Sequence, residues 1–478
     1  MKLKMEYKWM VLSVTTVGLF MAGLDTTIVV IGLPTILQNL HAGIVEGVWI
    51  ITGYRLMLTI LLVLLGRLAD LYGRVRLYNM GFAIFTVGSL MCAFSQTGLQ
   101  LVMFRFIQGA GAALLFANSA AIITDAFPKE QLGMGMGINM AATNLGSVAG
   151  YTLSGIMITY FSWRAMFLIN IPIGIIGTYL GYTRLKEISA RPIGEKFDYA
   201  GSILYCIALS TVLLALTIGN PASRNNLAIL AGGLALFLVM IIIELKQKYP
   251  TLDLKLFRIR VFAAGNIATF LNTIAFNCGP FLRSLYLQLI LGYSALKTGV
   301  LLIPMEIIIF VLNPISGRLS DRYGSRLLTT IGLSANAIAL FWFSTLNQKS
   351  PYWFVLISLV LFGFGSALFS PPNASSIMGS VPPEKRGVAN GIRMAINQTA
   401  VSLSVPFSLL LMTLVMPYDK LNQIVSTSSL GNAGEIPVFL KAINHACFIL
   451  GIVVLLAIIP TMLRGPHENI SAKIQKNK

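Results

Sequence analysis

The chain has 478 residues, of which 56% are hydrophobic and only 11% charged, and it carries a formal net charge of +18. A soluble domain of this length needs far more surface charge, so the composition points to a membrane protein. Of the 35 Lys and Arg, 25 lie in the termini and in the connections on one side of the apolar runs, 6 in the opposite connections and 4 inside the runs. This positive-inside bias puts both termini in the cytoplasm and accounts for the basic charge without a nucleic-acid partner.

Apolar runs of about 20 residues can span a bilayer, and fourteen follow one another. Lys2 and Lys4 precede the first run as in a signal peptide, but no small-residue cleavage pattern follows, so we expect a retained first helix. Span 1, Trp9 to Leu37, contains Asp25, about 24 Å along the helix from Trp9 at 1.5 Å per residue. A carboxylate at that depth faces a cavity or a partner, and is either a functional acid or a structural one bonded to neighbouring helices.

Span 2, Glu46 to Gly66, contains Arg55; span 3 runs from Leu77 to Phe94; span 4, Leu99 to Ala121, holds Arg105 in RFIQGAGAAL. The small residues Gly109 to Ala113 suit close helix packing. They lie inside a span and the chain has no Gly-Lys dipeptide, which excludes a P-loop. Span 5, Gln131 to Thr159, is the richest in glycine, with Gly146, Gly150 and Gly155 as packing positions. Span 6 follows WRAMFLINIPIGI, whose Trp163 suits a membrane interface.

A basic connection, Lys186 to Asp198, leads to spans 7 (Tyr199 to Thr217) and 8 (Leu227 to Leu245). From Leu252 to Ile259 apolar residues alternate with Asp253, Lys255 and Arg258, as in a segment lying on the membrane surface. Span 9 (Val261 to Leu289) carries Pro280 and Arg283, and span 10 (Leu296 to Ile315) carries Pro304 and Glu306. Spans 11 (Leu328 to Thr345), 12 (Trp353 to Met378) and 13 (Gly387 to Met416, with Arg393) follow. A polar loop, Pro417 to Ile436, precedes span 14, Phe439 to Met462, and a basic tail. Cys92, Cys206, Cys278 and Cys447 read as small core residues, not as disulfides or metal ligands.

The connection after span 2, GRLADLYGRVRL from Gly66 to Leu77, recurs after span 10 as GRLSDRYGSRLL from Gly317 to Leu328, with seven of twelve positions identical at an offset of 251. GMGMGINMAATN (Gly133 to Asn144) and GVANGIRMAINQ (Gly387 to Gln398) align at an offset of 254. Two homologous halves, six spans each with two spans inserted between them, explain both repeats. Residues 1–185 would form the first bundle, 186–260 the basic loop, inserted spans and amphipathic linker, 261–463 the second bundle, and 464–478 a cytoplasmic tail.

These stretches resemble the major facilitator superfamily, and within it the fourteen-span drug:proton antiporter branch. GRLADLYGRVR resembles the superfamily's loop signature, with Gly66, Asp70, Gly73 and Arg74 at its key positions, and RFIQGAGAA resembles the span 4 signature built on Arg105. LDTTIVVIGLP resembles the antiporter signature of span 1 and puts Asp25 at its acidic position; WRAMFLINIPIG and LYLQLILGYSALKTGVLLIP also look like this branch. The span 5 signature departs from the pattern: GSVAGYTLSG has Tyr151 where the branch has proline, and Ser154 before Gly155.

The resemblance implies an all-α membrane protein with the major facilitator fold, two six-helix bundles plus two inserted helices. It implies proton-coupled export of small amphipathic or drug-like compounds from the plasma membrane, by a monomer and without cofactors or metal. A lipid or organic-anion transporter of the same fold is the alternative, since Arg55, Arg105, Arg283 and Arg393 outnumber Asp25 and Glu306 within the spans. His41, His445 and His467 are scattered and no nucleophile or metal motif accompanies them, so no enzyme is expected.

Asp25 is the expected proton carrier, with Arg105 beside it and Glu306 in reserve; Arg55, Asn139 and Arg393 are expected at the substrate cavity or the interface between halves. Arg55 and Glu306 occupy matched positions at the offset of 251, with opposite charge. The repeated loops, Gly66, Asp70, Gly73 and Arg74 with Gly317, Asp321, Gly324 and Arg326, read as a breakable charged latch or as topological anchors.

Overall fold

A computed structural model of the chain describes residues 6–128, 131–187, 199–217, 220, 223–247, 253–382, 385–427 and 435–464, with the side chains of 63–64, 66–71, 199–200, 202, 321 and 387 outside that description. In hydrocarbon each backbone N–H and C=O needs a partner within its own segment, and a helix supplies it. The described residues are accordingly helical, without strands. Two units divide the chain: residues 1–202 with 287–300 and 419–431, and residues 203–286 with 301–418 and 432–478.

The first unit contains α1 (Tyr7–Leu40), α2 (Ile44–Tyr72), α3 (Arg74–Ala93), α4 (Gly98–Ala126), α5 (Leu132–Tyr160), the short α6 (Ala165–Leu168) and α7 (Asn170–Arg184). The second contains most of α8 (Tyr199–Thr217), then α9 (Arg224–Lys246), α10 (Arg260–Leu285), most of α11 (Ala295–Tyr323), α12 (Ser325–Phe343), α13 (Tyr352–Gly379), α14 (Arg386–Thr413) and α16 (Glu435–Met462). Within the first unit α1 packs on α5 and α3 on α4; within the second α10 packs on α14 and α12 on α13. The same pairings recur in each unit, as two copies of one ancestral bundle would give.

Among the described residues, twelve helices are long and apolar enough to cross a membrane. Two of the fourteen expected spans are not among them. α5 stands at span 5, where six glycines with Asn139 and Asn144 dilute the apolar character. α8 stands at span 7, and its described apolar part, Ile203–Thr217, is short. Two connections are more ordered than expected. The polar loop after span 13 contains the helix α15 (Tyr418–Thr427). The alternating segment before span 9 forms a 3-10 turn at Leu254–Arg258, where Asp253 accepts the Lys255 N–H at 3.2 Å and Leu256 is buried among Phe262, Ile377 and Ile392.

The repeated loops make the same turn. Gly73 and Gly324 have φ of 98° and 82° and start α3 and α12. A side chain at either position would meet the left-handed penalty, which glycine escapes. Glycine also sets the α1–α5 contact. A Cβ on Gly146 would lie 2.2 Å from the Phe20 carbonyl oxygen, and one on Gly150 2.1 Å from Thr27 Oγ1. On the far end of α5, a Cβ on Gly155 would lie 2.3 Å from Leu296 Cα.

Gly146→Ala is expected to lower the thermal midpoint of the purified protein, because a backbone must shift and overpacking costs about 1–3 kcal/mol. Gly133→Ala, where nothing lies within 4 Å of the added Cβ, is expected to leave stability unchanged or raise it by up to about 1 kcal/mol through helix propensity. Equal effects of the two substitutions would remove close approach as the reason for glycine at 146.

Candidate functional site

On α4 the buried positions fall three or four apart: Leu101, Val102, Arg105, Gln108, Gly109, Ala112. That spacing is one helix face, so Arg105 and Gln108 occupy places that would ordinarily be apolar core. Asp25 sits in the middle of α1 and is fully buried, as are Arg105 and Gln108. A buried charge is tolerated only when paired and hydrogen-bonded, and the sequence around it meets that demand from five helices.

Arg105 Nη1 donates to Asp25 Oδ2, and Gln108 Nε2 and Asn170 Nδ2 donate to Asp25 Oδ1 at 2.8 and 3.1 Å. Arg105 is held in turn: its Nε donates to the Ile50 carbonyl at 2.9 Å, its Nη1 also reaches Gln108 Oε1 at 2.6 Å, and its guanidinium lies 4.3 Å above the Tyr54 ring. Gln108 Nε2 donates further to Ser89 Oγ at 2.8 Å, and the Ser89 hydroxyl donates to the Phe85 carbonyl, also at 2.8 Å. The carboxylate therefore joins α1, α2, α3, α4 and α7. Asn170 Oδ1 is buried and has no hydrogen-bond partner, so a reversed amide can accept a hydrogen bond from Asp25 if it becomes a neutral acid.

At the start of α3 a second cluster forms. Arg74 Nη1 donates to both oxygens of Asp125, at 2.8 and 3.0 Å, near the end of α4. Glu187, just beyond α7, accepts the backbone N–H groups of Arg74 and Val75, both at 3.0 Å. A carboxylate on the free N–H groups of a helix start satisfies donors that have no intrahelical acceptor and opposes the positive end of the helix dipole. Gly66 lies on α2, and the side chains of Asp70 and Asp321 lie outside the described ones. Gly317 is half-buried with open space where a Cβ would stand, and Arg326 is exposed on the first turn of α12.

The remaining sequence-derived positions are dispersed. Arg55 is buried on α2, one residue from Tyr54. Asn139, buried on α5, donates to Ser119 Oγ at 2.7 Å. In the second unit, Glu306 on α11 is half-buried and feels the charge of Arg283. Arg283 is itself buried, 4.6 Å from the Phe362 ring centroid and 3.5 Å from Met305 Sδ. Arg393 reaches back to Asn390 Oδ1, one turn earlier on α14, at 3.1 Å. Sequence reading singled out Asp25, Arg105 and Arg74 and missed their partners Gln108, Asn170, Ser89, Asp125 and Glu187. Gln108 was within reach of it, three residues from Arg105 on the same face.

A paired intramembrane acid held between helices of a duplicated bundle is the architecture of a secondary transporter. The chain matches the Major Facilitator Superfamily over residues 15–405 and again over 265–475, and it belongs to that superfamily. It is 33% identical over 403 residues to the riboflavin transporter RibZ of Clostridioides difficile (strain 630), covering 84% of this chain and 88% of that protein. It is 30% identical over 399 residues to the tetracenomycin C resistance and export protein of Streptomyces glaucescens, covering 83% and 74%. A bacterial homologue of the human lysosomal transporter Spinster, in an inward-facing and unoccupied conformation, shares the fold with a TM-score of 0.67, 13% identity and coverage of 96% and 97%. The D-xylose-proton symporter does so with a TM-score of 0.64, 16% identity and coverage of 96% and 98%. The protein is thus a multi-pass membrane transporter and not an enzyme.

Arg105→Gln leaves Asp25 buried without its countercharge and is expected to destabilise the protein by about 3–5 kcal/mol. Adding Asp25→Asn should restore part of that loss, since two amides can bond where an ion pair stood. Thermal unfolding of the two single variants and the double variant checks this; additive losses would mean that the pair is not coupled.

Proposed function

We propose that the protein is a proton-driven exporter of small amphipathic compounds, of the fourteen-span antiporter branch. In this reading it acts as a monomer in the plasma membrane, with both termini in the cytoplasm. The observation that carries the reading is Asp25: a fully buried carboxylate on α1 whose charged partner among the described residues is Arg105. Protonation removes the anion that Arg105 faces. Arg105 keeps the Ile50 carbonyl and Gln108, while the tie between α1 and α4 changes from an ion pair to a neutral contact. Such a local charge change biases a bistable bundle towards its alternative arrangement. A substrate that favours the deprotonated form then couples its own exit to proton entry.

The repeated loops act as the cytoplasmic gate in this mechanism, with Gly66, Asp70, Gly73 and Arg74 in one half and Gly317, Asp321, Gly324 and Arg326 in the other. Arg55, Asn139 and Arg393 contribute to the substrate cavity. Resistance and export by the Streptomyces glaucescens relative supports an exported, drug-like substrate, and the Clostridioides difficile riboflavin transporter supports a planar vitamin-like one. A second reading keeps the fold and gives it a lipid or organic-anion substrate without proton coupling. The buried cations Arg55 and Arg283 favour it.

Purified protein in vesicles with an imposed pH gradient tests both. Asp25→Asn should keep substrate binding, lose the pH dependence of that binding and reduce uphill export to the level of empty vesicles; Glu306→Gln is run beside it. Uphill export by Asp25→Asn would make Asp25 structural, and wild-type flux indifferent to the gradient would favour the second reading. Labelling a cysteine placed at Ser471 tests the orientation, and reaction from outside alone would reverse it. If Arg55 and Glu306 are coupled, neutralising both should cost less transport than the sum of the single losses.

A further inference from the structure

Among the described residues of the second unit, one buried cation has no ion-pair partner. Arg464 follows the end of α16 by two residues and is 4% exposed. Its Nη2 donates to Asn373 Oδ1, while Nε and Nη1 have no hydrogen-bond partner. Asn373 is fixed from behind, donating through Nδ2 to Thr269 Oγ1 at 2.7 Å and to the Gly265 carbonyl at 3.2 Å. Gly265 leaves room for the guanidinium: a Cβ there would stand 3.4 Å from Arg464 Nη2 and 2.4 Å from Ile377. No carboxylate among the described residues pairs with Arg464.

Burial brings the Arg464 guanidinium down to about 10, still well above neutral pH, so the charge is present. A buried guanidinium with orphan N–H groups is costly unless an anion completes it. We propose that Arg464, set by Asn373, is a binding site for a phosphate oxyanion, carried by an anionic phospholipid headgroup. Nε–H and the Nη1 protons point in different directions. A phosphate group, with several acceptor oxygens around one charge, can accept from either of them.

The site lies where α10 begins and α13 and α16 end, the level at which helices leave hydrocarbon and headgroup phosphates are found. Gly265 is five residues into α10, about 7.5 Å along the axis from the exposed Arg260, with exposed Arg258 just before it. Basic residues beside a span attract anionic lipid.

Native mass spectrometry of the full-length protein in neutral detergent tests the site, titrating phosphatidylglycerol, phosphatidylcholine with the same acyl chains, and inorganic phosphate. Wild type should hold phosphatidylglycerol about ten-fold more tightly than phosphatidylcholine, as charge-assisted bonds to one guanidinium require. Arg464→Gln should lose that preference and Arg464→Lys should keep part of it. Displacement of the lipid by inorganic phosphate would assign the site to the free ion as well, and failure to displace it would assign the site to the headgroup alone. No preference in wild type, or an unchanged preference in Arg464→Gln, overturns the proposal. If Arg464→Gln fails to fold, wild type and Arg464→Lys still decide.

Discussion

A carboxylate cannot sit in the middle of a membrane helix without a countercharge, and the first unit is built around meeting that demand. Asp25 takes its cation from α4 and its remaining hydrogen bonds from the amides of Gln108 and Asn170. Each of these needs its own support, which brings in the Ile50 carbonyl, the Tyr54 ring and Ser89. The ion pair lowers the cost of the charge, and with the surrounding amides it satisfies both carboxylate oxygens, with Asn170 Oδ1 left as a buried acceptor without a partner. Five helices are thereby committed to one relative placement for as long as Asp25 is ionised. The α1–α5 contact adds a sixth, because glycine lets the two backbones meet around Gly146 and Gly150.

The second unit repeats the pairings of the first but not its chemistry. Its α10 has no aspartate at the matching depth, and its polar cluster is made of neutral amides, with Asn336 donating to Asn272 at 3.0 Å and Ser366 to Asn336. Its acids within helices include the buried Glu244 on α9 and the half-buried Glu306 on α11, and its buried cations among the described residues are Arg283 and Arg464. Duplication therefore preserved backbone packing, the glycine turns at Gly73 and Gly324 above all, and the Arg and Asp of the repeated loops, while the charged positions within the spans diverged. Packing constrains every residue on a helix face, whereas charge needs only its local partner, and the two are free to change separately.

That difference also explains what could be read without coordinates. Helix order and duplication follow from apolar length and repeated loops, both local properties of the chain. Asp25 and Arg105 stand out because charge is rare in an apolar run. Asn170 and Ser89 do not, because neutral polar residues are common in transporter helices and their importance appears only when α7 and α3 bring them to one carboxylate. Asp125 and Glu187 carry no such signal, because acids near helix ends are common at a membrane surface. The fourteen-span expectation is weakest at α5 and α8, where glycine content and a short described apolar stretch separate helix formation from membrane-crossing character.

Glu187 draws a boundary that a linear reading of the chain misses. It belongs by position to the connection leading out to the two inserted helices, yet its carboxylate closes the start of α3 deep in the first bundle's own loop. A shortened transporter made by excising the insertion at the end of α7 would lose that cap and leave two backbone donors bare beside the Arg74–Asp125 pair. A cut that keeps the cap lies after Glu187.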